Sequence, residues 1–286
     1  MSLELATGLI ESVIEKAAKA ACIADGDYKG SDGLIYCHKC NTPKQTRLEI
    51  PWSGETRTTF CMCECELAQE KRWEEKAEQT LRKNALLRLK TRGIQDKAVW
   101  GWTFANDDQT RPQDMDKARR YYKNWEALYA DNTGLLLWGN VGAGKTYFAA
   151  CIANALLDDG VSVLMTNFSK IINDLSGFKN DKNEYIAEFN KYKLLIIDDL
   201  GAERQSEFAQ EIVYGVIDER YKSNQPLIVT TNMSLDEIKK PKDVNNARIY
   251  DRLLGMCVPI QFFGDSRRRE EYQAKIDRAK AILGGG

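Results

Sequence analysis

The stretch Gly139-Asn140-Val141-Gly142-Ala143-Gly144-Lys145-Thr146 constrains this chain more than any other. Its glycines let the backbone curl through conformations closed to other residues, so that successive N–H groups face a common point. The apolar run LLLW precedes it as a strand, and YFAACIANALL follows as a helix. A helix that starts where such a loop ends offers its positive N-terminus to an anion. The spacing is that of the Walker A pattern. In it the loop from Gly139 through Tyr147 cradles a nucleotide, Lys145 holds the β- and γ-phosphates, and Thr146 ligates Mg²⁺.

Around this motif the hydrophobic pattern alternates. Short β-rich runs at Leu135–Trp138, Val161–Thr166, Leu194–Asp198, Leu227–Thr231 and Val258–Phe262 are followed by helical patterns. Those patterns cover Lys145–Leu157, Ser169–Leu175, Glu207–Tyr221, Leu235–Ile238 and Arg267–Leu283. Near-continuous apolar strands belong to parallel sheets covered on both faces. The expectation over residues 96–286 is therefore an α/β three-layer sandwich on a parallel five-stranded sheet.

Leu194-Leu-Ile-Ile-Asp198-Asp199 delivers two acids at the carboxyl edge of a buried strand, where ligands bind in open α/β sheets. Asp198 is the expected Mg²⁺-side carboxylate. Asp199 is placed to orient or deprotonate a water, with a loop or capping role as the plainer reading. The strand Leu227–Thr231 ends at Asn232, which is placed to hold that water near a γ-phosphate. Phosphoryl transfer also gains from a cation that meets developing charge. Arg248 and Arg252 lie four apart on one helical face, and Arg267, Arg268 and Arg269 follow the last strand.

The first 66 residues differ in kind. They hold six of the eight cysteines and the only histidine, His38. Cys37-His-Lys-Cys40 is one knuckle and Cys61-Met-Cys63-Glu-Cys65 supplies a second, the two joined by an expected β-hairpin with its turn near Ser53-Gly54. Four thiolates at such spacing suit one tetrahedral Zn²⁺. Cys37, Cys40, Cys63 and Cys65 are the favoured set, with Cys61 and His38 as substitutes. Lys39, Lys44, Arg47 and Arg57 make the module locally basic. Cys22, Cys151 and Cys257 read as core residues. Residues 66–93 are dense in charge and helix formers and read as an exposed helix, which gives a helical linker over 67–95. An amphipathic helix is expected before residue 21. The formal net charge of −1 leaves nucleic-acid binding to local patches rather than bulk charge. No run of about 18 apolar residues is present. No signal-peptide pattern opens the chain. A cytoplasmic location without a membrane contact is the expectation.

The strings GNVGAGKTYFAACIANALL, LLIIDDLGAE, LIVTTN and ARIYDRL together resemble the DnaC/DnaI/IstB group of AAA+ ATPases, over about residues 96–275. The resemblance implies ATP hydrolysis coupled to loading a hexameric replicative helicase onto single-stranded DNA, within a primosome. It implies self-assembly, with Arg252 as an arginine finger acting on a neighbouring subunit's site. It also implies a sensor-2 arginine at Arg268, with Arg267 or Arg269 as alternatives. Phe178 resembles a position that contacts DNA in such loaders, and Ser206 and Phe208 are candidates for the same contact, with packing as the plainer reading of both phenylalanines. A cysteine-rich zinc module ahead of the ATPase is similar to DnaI-type and phage DnaC-like loaders and is unusual among IstB-type transposition helpers. An IstB-like transposition helper is one alternative, and a zinc adaptor on a non-hydrolysing ATPase fold is another.

Overall fold

Alternation along the strands decides the layers of the larger unit. The computed structural model describes residues 23–50, 54–177, 181–203, 206–241, 243–264 and 266–283. The chain divides into two units, Met1–Lys83 and Asn84–Gly286.

In the first unit β1 (Tyr28–Lys29) pairs antiparallel with β2 (Ile35–Tyr36). The expected hairpin follows as β3 (Gln45–Glu49) and β4 (Thr56–Phe60), in register from Gln45↔Phe60 to Glu49↔Thr56. Helix α1 (Glu64–Gly93) begins with Glu64 and Glu66 and ends with Lys90 and Arg92, so both ends carry charge that complements the helix dipole. The break between the units falls within this helix. The amphipathic helix expected before residue 21, and Cys22, lie outside the described residues.

The second unit adds α2 (Pro112–Lys123) and α3 (Trp125–Ala130), then β5 (Gly134–Gly139) and α4 (Lys145–Asp158). Next come β6 (Val163–Asn167), α5 (Phe168–Gly177), α6 (Lys182–Ala187), β7 (Leu194–Leu200) and α7 (Glu207–Lys222). The unit closes with β8 (Leu227–Thr231), α8 (Leu235–Lys239), α9 (Val244–Met256), β9 (Cys257–Phe262) and α10 (Arg267–Leu283). The five strands form one sheet in the order β6-β7-β8-β5-β9, with every neighbouring pair parallel.

Successive strand residues face opposite sides. Leu135, Leu137, Leu194, Ile196 and Ile228 pack on one face with Phe148 and Ile152 of α4 and Met115, Ala118 and Tyr121 of α2. Leu136, Leu195, Ile197, Leu227 and Val229 pack on the other with Ile212, Val216, Ile249 and Leu253 of α7 and α9. That is the expected three-layer sandwich. The second strand starts later than its apolar run suggests. Gly160 and Val161 donate their N–H groups back to Leu157 and Leu156, ending α4 before the chain can extend. Helices α2, α3 and α6 were not among the expected elements. Pro112 opens α2 at a position where a missing N–H costs nothing, and Asp181 caps α6 through the Asn183 N–H.

Candidate nucleotide site and cysteine cluster

The loop between β5 and α4 depends on two glycines. Gly139 sits at φ +128° with an added Cβ only 2.1 Å from the Phe262 carbonyl oxygen, so a side chain here would collide with β9. Gly142 sits at φ +78°, and a Cβ there would meet Ser266 Oγ at 2.1 Å. The chain leaving β9 thus packs onto this loop two residues before Arg268, whose backbone lies in the first turn of α10. The loop borders a cavity of about 290 Å³ whose walls include Gly142, Gly144, Lys145, Thr146, Tyr147, Asp199 and Asn232, with Trp102 at its rim.

Lys145 is 5% exposed. Its ammonium donates to the Gly139 and Asn140 carbonyls at 2.9 and 2.8 Å and to Asn232 Oδ1 at 2.8 Å. Strand order explains the last contact, because β8 lies between β7 and β5 and brings Asn232, the residue after its end, beside the loop. Thr146 donates its hydroxyl to Asp198 Oδ1 at 2.9 Å. A hydroxyl and a carboxylate oxygen meeting at a phosphate cradle are the hard donors that Mg²⁺ takes. Burial raises the Asp198 carboxyl above its ordinary value, and the neighbouring Asp199 charge adds to this against the hydrogen bonds from Thr230 and Thr146.

Asp199 breaks the regular geometry of β7. It is exposed and sits at φ +57°, a left-handed conformation that costs a non-glycine residue about 1 kcal/mol or more. The β7–β8 ladder is irregular between Ile197 and Leu200. Thr230 bridges that gap, although no motif marks it. Its hydroxyl donates to Asp198 Oδ1 at 2.6 Å and accepts the Asp199 N–H at 2.9 Å. Thr231 continues the join by donating to the Leu200 carbonyl at 2.8 Å.

Trp102 was also missed, because it stands outside any motif. Its ring lies 5.8 Å from that of Tyr147, whose hydroxyl donates to the Thr103 carbonyl. Asn154 of α4 fixes this wall, donating to the Val99 and Trp102 carbonyls at 2.9 and 3.0 Å.

Arg252 and Arg248 lie on α9, but only Arg248 is exposed. Arg252 forms an ion pair with Asp218 and stacks over the Tyr214 ring at 4.8 Å. Ser206 and Phe208 lie at the start of α7. The Ser206 hydroxyl caps that helix by accepting the Ala209 N–H, and Phe208 is 43% exposed. Phe178 lies outside the described residues.

In the first unit the sulfurs of Cys37, Cys40, Cys63 and Cys65 all lie within 4.8 Å of one another. Two of the gaps are 3.2 and 3.6 Å, near the edge of about 3.8 Å that a tetrahedron of 2.3 Å Zn–S bonds requires. The donor set fits zinc. The Thr42 hydroxyl, 3.0 Å from Cys40, holds that thiol below its ordinary value, while burial pushes the Cys63 thiol up. Cys61 points away and donates to the Pro43 carbonyl. His38 turns its Nδ1 to Asp27 at 3.1 Å. Lys44, counted above among the surface charges, is 2% exposed and pairs with Asp27 and Glu66 at 3.0 and 2.9 Å. It braces the module rather than adding to a basic face. Cys151 and Cys257 are core residues at 0% and 4% exposure.

Residues 67–274 match the family described as IstB-like ATP binding protein. The chain is 29% identical over 147 residues to the replicative helicase loader DnaI of Bacillus subtilis, covering 47% of this chain and 47% of that protein. It is 29% identical over 159 residues to the replicative helicase loader DnaC of Escherichia coli K12, covering 54% and 62%. It is 28% identical over 160 residues to a putative insertion sequence ATP-binding protein of Sinorhizobium fredii, covering 54% and 53%. The chain thus spans 47% to 62% of the length of these relatives. A crystal structure of DnaI superposes with a TM-score of 0.50 at 26% identity, covering 60% of this chain and 96% of that one. With most of its length matched and its five-stranded parallel sheet in place, the chain belongs to the IstB-like ATP binding protein family, an AAA+ family in which DnaI and DnaC are its distant relatives.

Proposed function

We propose that this protein is an ATP-dependent loader of a hexameric replicative helicase onto single-stranded DNA. The observation that carries the reading is the four-cysteine cluster preceding the ATP-binding unit in one chain. Relatives named as replicative helicase loaders, matched over 47% and 54% of this chain, support it. In this reading residues 1–66 form a zinc module that engages the helicase, 67–95 a helical linker, and 96–286 the ATPase.

The loop from Gly139 to Tyr147 would hold ATP, with Lys145 on the β- and γ-phosphates. Thr146 and Asp198 would hold Mg²⁺, which neutralises charge on the phosphates. Asp199 and Asn232 would orient the attacking water. Arg268 would meet the bound nucleotide, and Arg252 would complete a neighbouring subunit's site, so turnover would require assembly. Phe208 and Phe178 would stack on bases without reading sequence, and Ser206 would meet the backbone beside them.

A second reading is a transposition helper, favoured by the insertion-sequence relative at nearly the same identity. The deciding experiment is capture with the tagged full chain, in ATP, of a hexameric replicative helicase and of a transposase, together with ATP turnover on single-stranded DNA. Helicase capture with DNA-stimulated turnover is the expected result. Transposase capture without helicase capture would overturn it. Capture of the helicase with no ATP turnover under any condition would instead identify a zinc adaptor.

A further inference from the structure

Behind the carboxylates of the proposed ATPase site lies a buried hydroxyl on β8. Thr230 is 0% exposed, yet its hydroxyl reaches both carboxylate-bearing residues at the end of β7. It donates to Asp198 Oδ1 at 2.6 Å and accepts the Asp199 N–H at 2.9 Å. The neighbouring ladder explains why a hydroxyl is needed. Ile197 pairs with Val229 and Leu200 with Thr231, so two residues of β7 stand against one of β8. Asp198 and Asp199 are those two, and Thr230 is the one. A bulge of this kind leaves an extra residue without its ladder partner and re-aims its side chain. Here the unpaired N–H belongs to Asp199, and the Thr230 hydroxyl supplies the acceptor the backbone lacks.

We propose that Thr230 is the positioning residue of this site, holding Asp198 toward Thr146 and fixing the left-handed turn that carries Asp199 out into the cavity. One hydroxyl does both, because it has a proton to give and a lone pair to receive with. Without it Asp198 Oδ1 keeps Thr146 as its hydrogen-bond donor but loses the partner that sets its angle, and the Asp199 peptide is free to turn. Valine matches threonine in shape and offers neither interaction. Serine offers both.

The inference rests on the ATPase reading above, so the test carries a control for that reading. The measurements are kcat, KM for ATP and the Mg²⁺ dependence of turnover on the full chain, with helicase and single-stranded DNA present. Thermal midpoints are recorded alongside. Thr230→Val is expected to lower kcat about 10- to 100-fold, the range typical for groups that orient metal ligands, and to raise the Mg²⁺ concentration needed for half-maximal turnover. KM for ATP should change little, since the phosphate loop is untouched. Thr230→Ser should restore most of the rate. Wild-type kcat and Mg²⁺ dependence in Thr230→Val, alongside loss of turnover in Lys145→Ala, would overturn the inference and leave the site assignment standing. Equal losses in the valine and serine variants, with equally lowered thermal midpoints, would also overturn it and assign Thr230 to packing. Wild-type turnover in Lys145→Ala would remove the site assignment, and this inference with it.

Discussion

Arg252 and Asp218 form an ion pair at 2.7 Å across the contact between α9 and α7. The Tyr214 ring lies under the guanidinium, and its hydroxyl accepts from the same group at 3.0 Å. The arginine proposed to act on a neighbouring subunit is therefore held within its own chain by three groups, the third being the Arg248 carbonyl. A cation already held in place loses less freedom when it meets a phosphate than one on a free side chain.

This gives a mixing prediction. Arg252→Ala and Lys145→Ala should each lose nearly all ATP turnover, by about 1000-fold for the arginine if it acts as a finger. Mixed in equal amounts they should recover activity. In a head-to-tail assembly about one site in four then pairs an intact Lys145 with an intact Arg252 from its neighbour. Recovery on mixing, read by phosphate release, checks the trans arrangement; its absence would place Arg252 outside the site.

A second prediction concerns pH. Burial raises the Asp198 carboxyl, so the folded protein holds this proton more tightly than the unfolded chain does. A raised carboxyl makes stability fall as pH climbs from the ordinary carboxylate value through the native one, and it stays lowered above that window. Asp198→Asn removes the buried charge and keeps the shape, and Thr146 and Thr230 can turn their hydroxyls to serve the amide. Without Mg²⁺ or nucleotide, its thermal midpoint should exceed that of wild type by about 2–4 °C for each kcal/mol of relief at neutral pH. The gap should close as pH falls below the ordinary carboxylate range. A pH series of thermal melts checks the sign, while ATP turnover should be lost at every pH.

The two halves of the proposed site differ in how far the sequence exposes them. The phosphate loop is legible because glycines at fixed spacing have few other uses, and Asp198 is legible because acids seldom end an apolar strand without a ligand. Thr230 is not legible. A threonine in a β-rich run reads as an ordinary strand residue, and only the bulge opposite it reveals the hydroxyl's work. Trp102 is hidden for a similar reason, since it reaches the cavity from a 3-10 turn (Lys97–Gly101) fixed by Asn154, 52 residues away in sequence. Lys44 looked like surface charge because its partners, Asp27 and Glu66, lie 17 and 22 residues away on either side. Spacing finds motifs whose members act on one small object. It does not find pairs that the fold alone brings together.

The cysteine cluster predicts a metal count. Full-length protein should carry about one zinc per chain, and serine at Cys37, Cys40, Cys63 or Cys65 should sharply weaken its retention, since each removes a thiolate from a four-ligand shell. Cys61→Ser should keep the metal, because that sulfur points to the Pro43 carbonyl. Elemental analysis of the five variants checks the assignment. Chelation should expose the first unit to limited proteolysis while the ATP-binding unit keeps its melting transition, because so small a module draws its folding free energy from the metal.

The last prediction tests the core rather than the site. Arg220 is 0% exposed, and its hydrogen-bond partners are backbone carbonyls and one side-chain amide rather than a carboxylate. It donates to the carbonyls of Phe189, Tyr192, Lys193 and Pro226, and to Gln225 Oε1. These groups lie where the chain enters β7 and β8, so one guanidinium ties together the starts of both strands whose far ends carry Asp198 and Asn232. Burial brings its pKa down to about 10, still far above neutrality, so the charge persists and the carbonyl dipoles balance it. Arg220→Met fills much of the space but strands several buried acceptors, each costing about 1–3 kcal/mol. Arg220→Lys keeps the charge and loses the planar fork that reaches several carbonyls at once. Both should lower the urea denaturation midpoint, which corresponds to a loss of unfolding free energy of more than about 3 kcal/mol for methionine and somewhat less for lysine. At temperatures where the fold survives, the lysine variant should keep its nucleotide affinity, because the defect lies at the opposite edge of the sheet. Equal stability of wild type and methionine variant would show that water reaches these carbonyls and that the arginine does not brace the sheet.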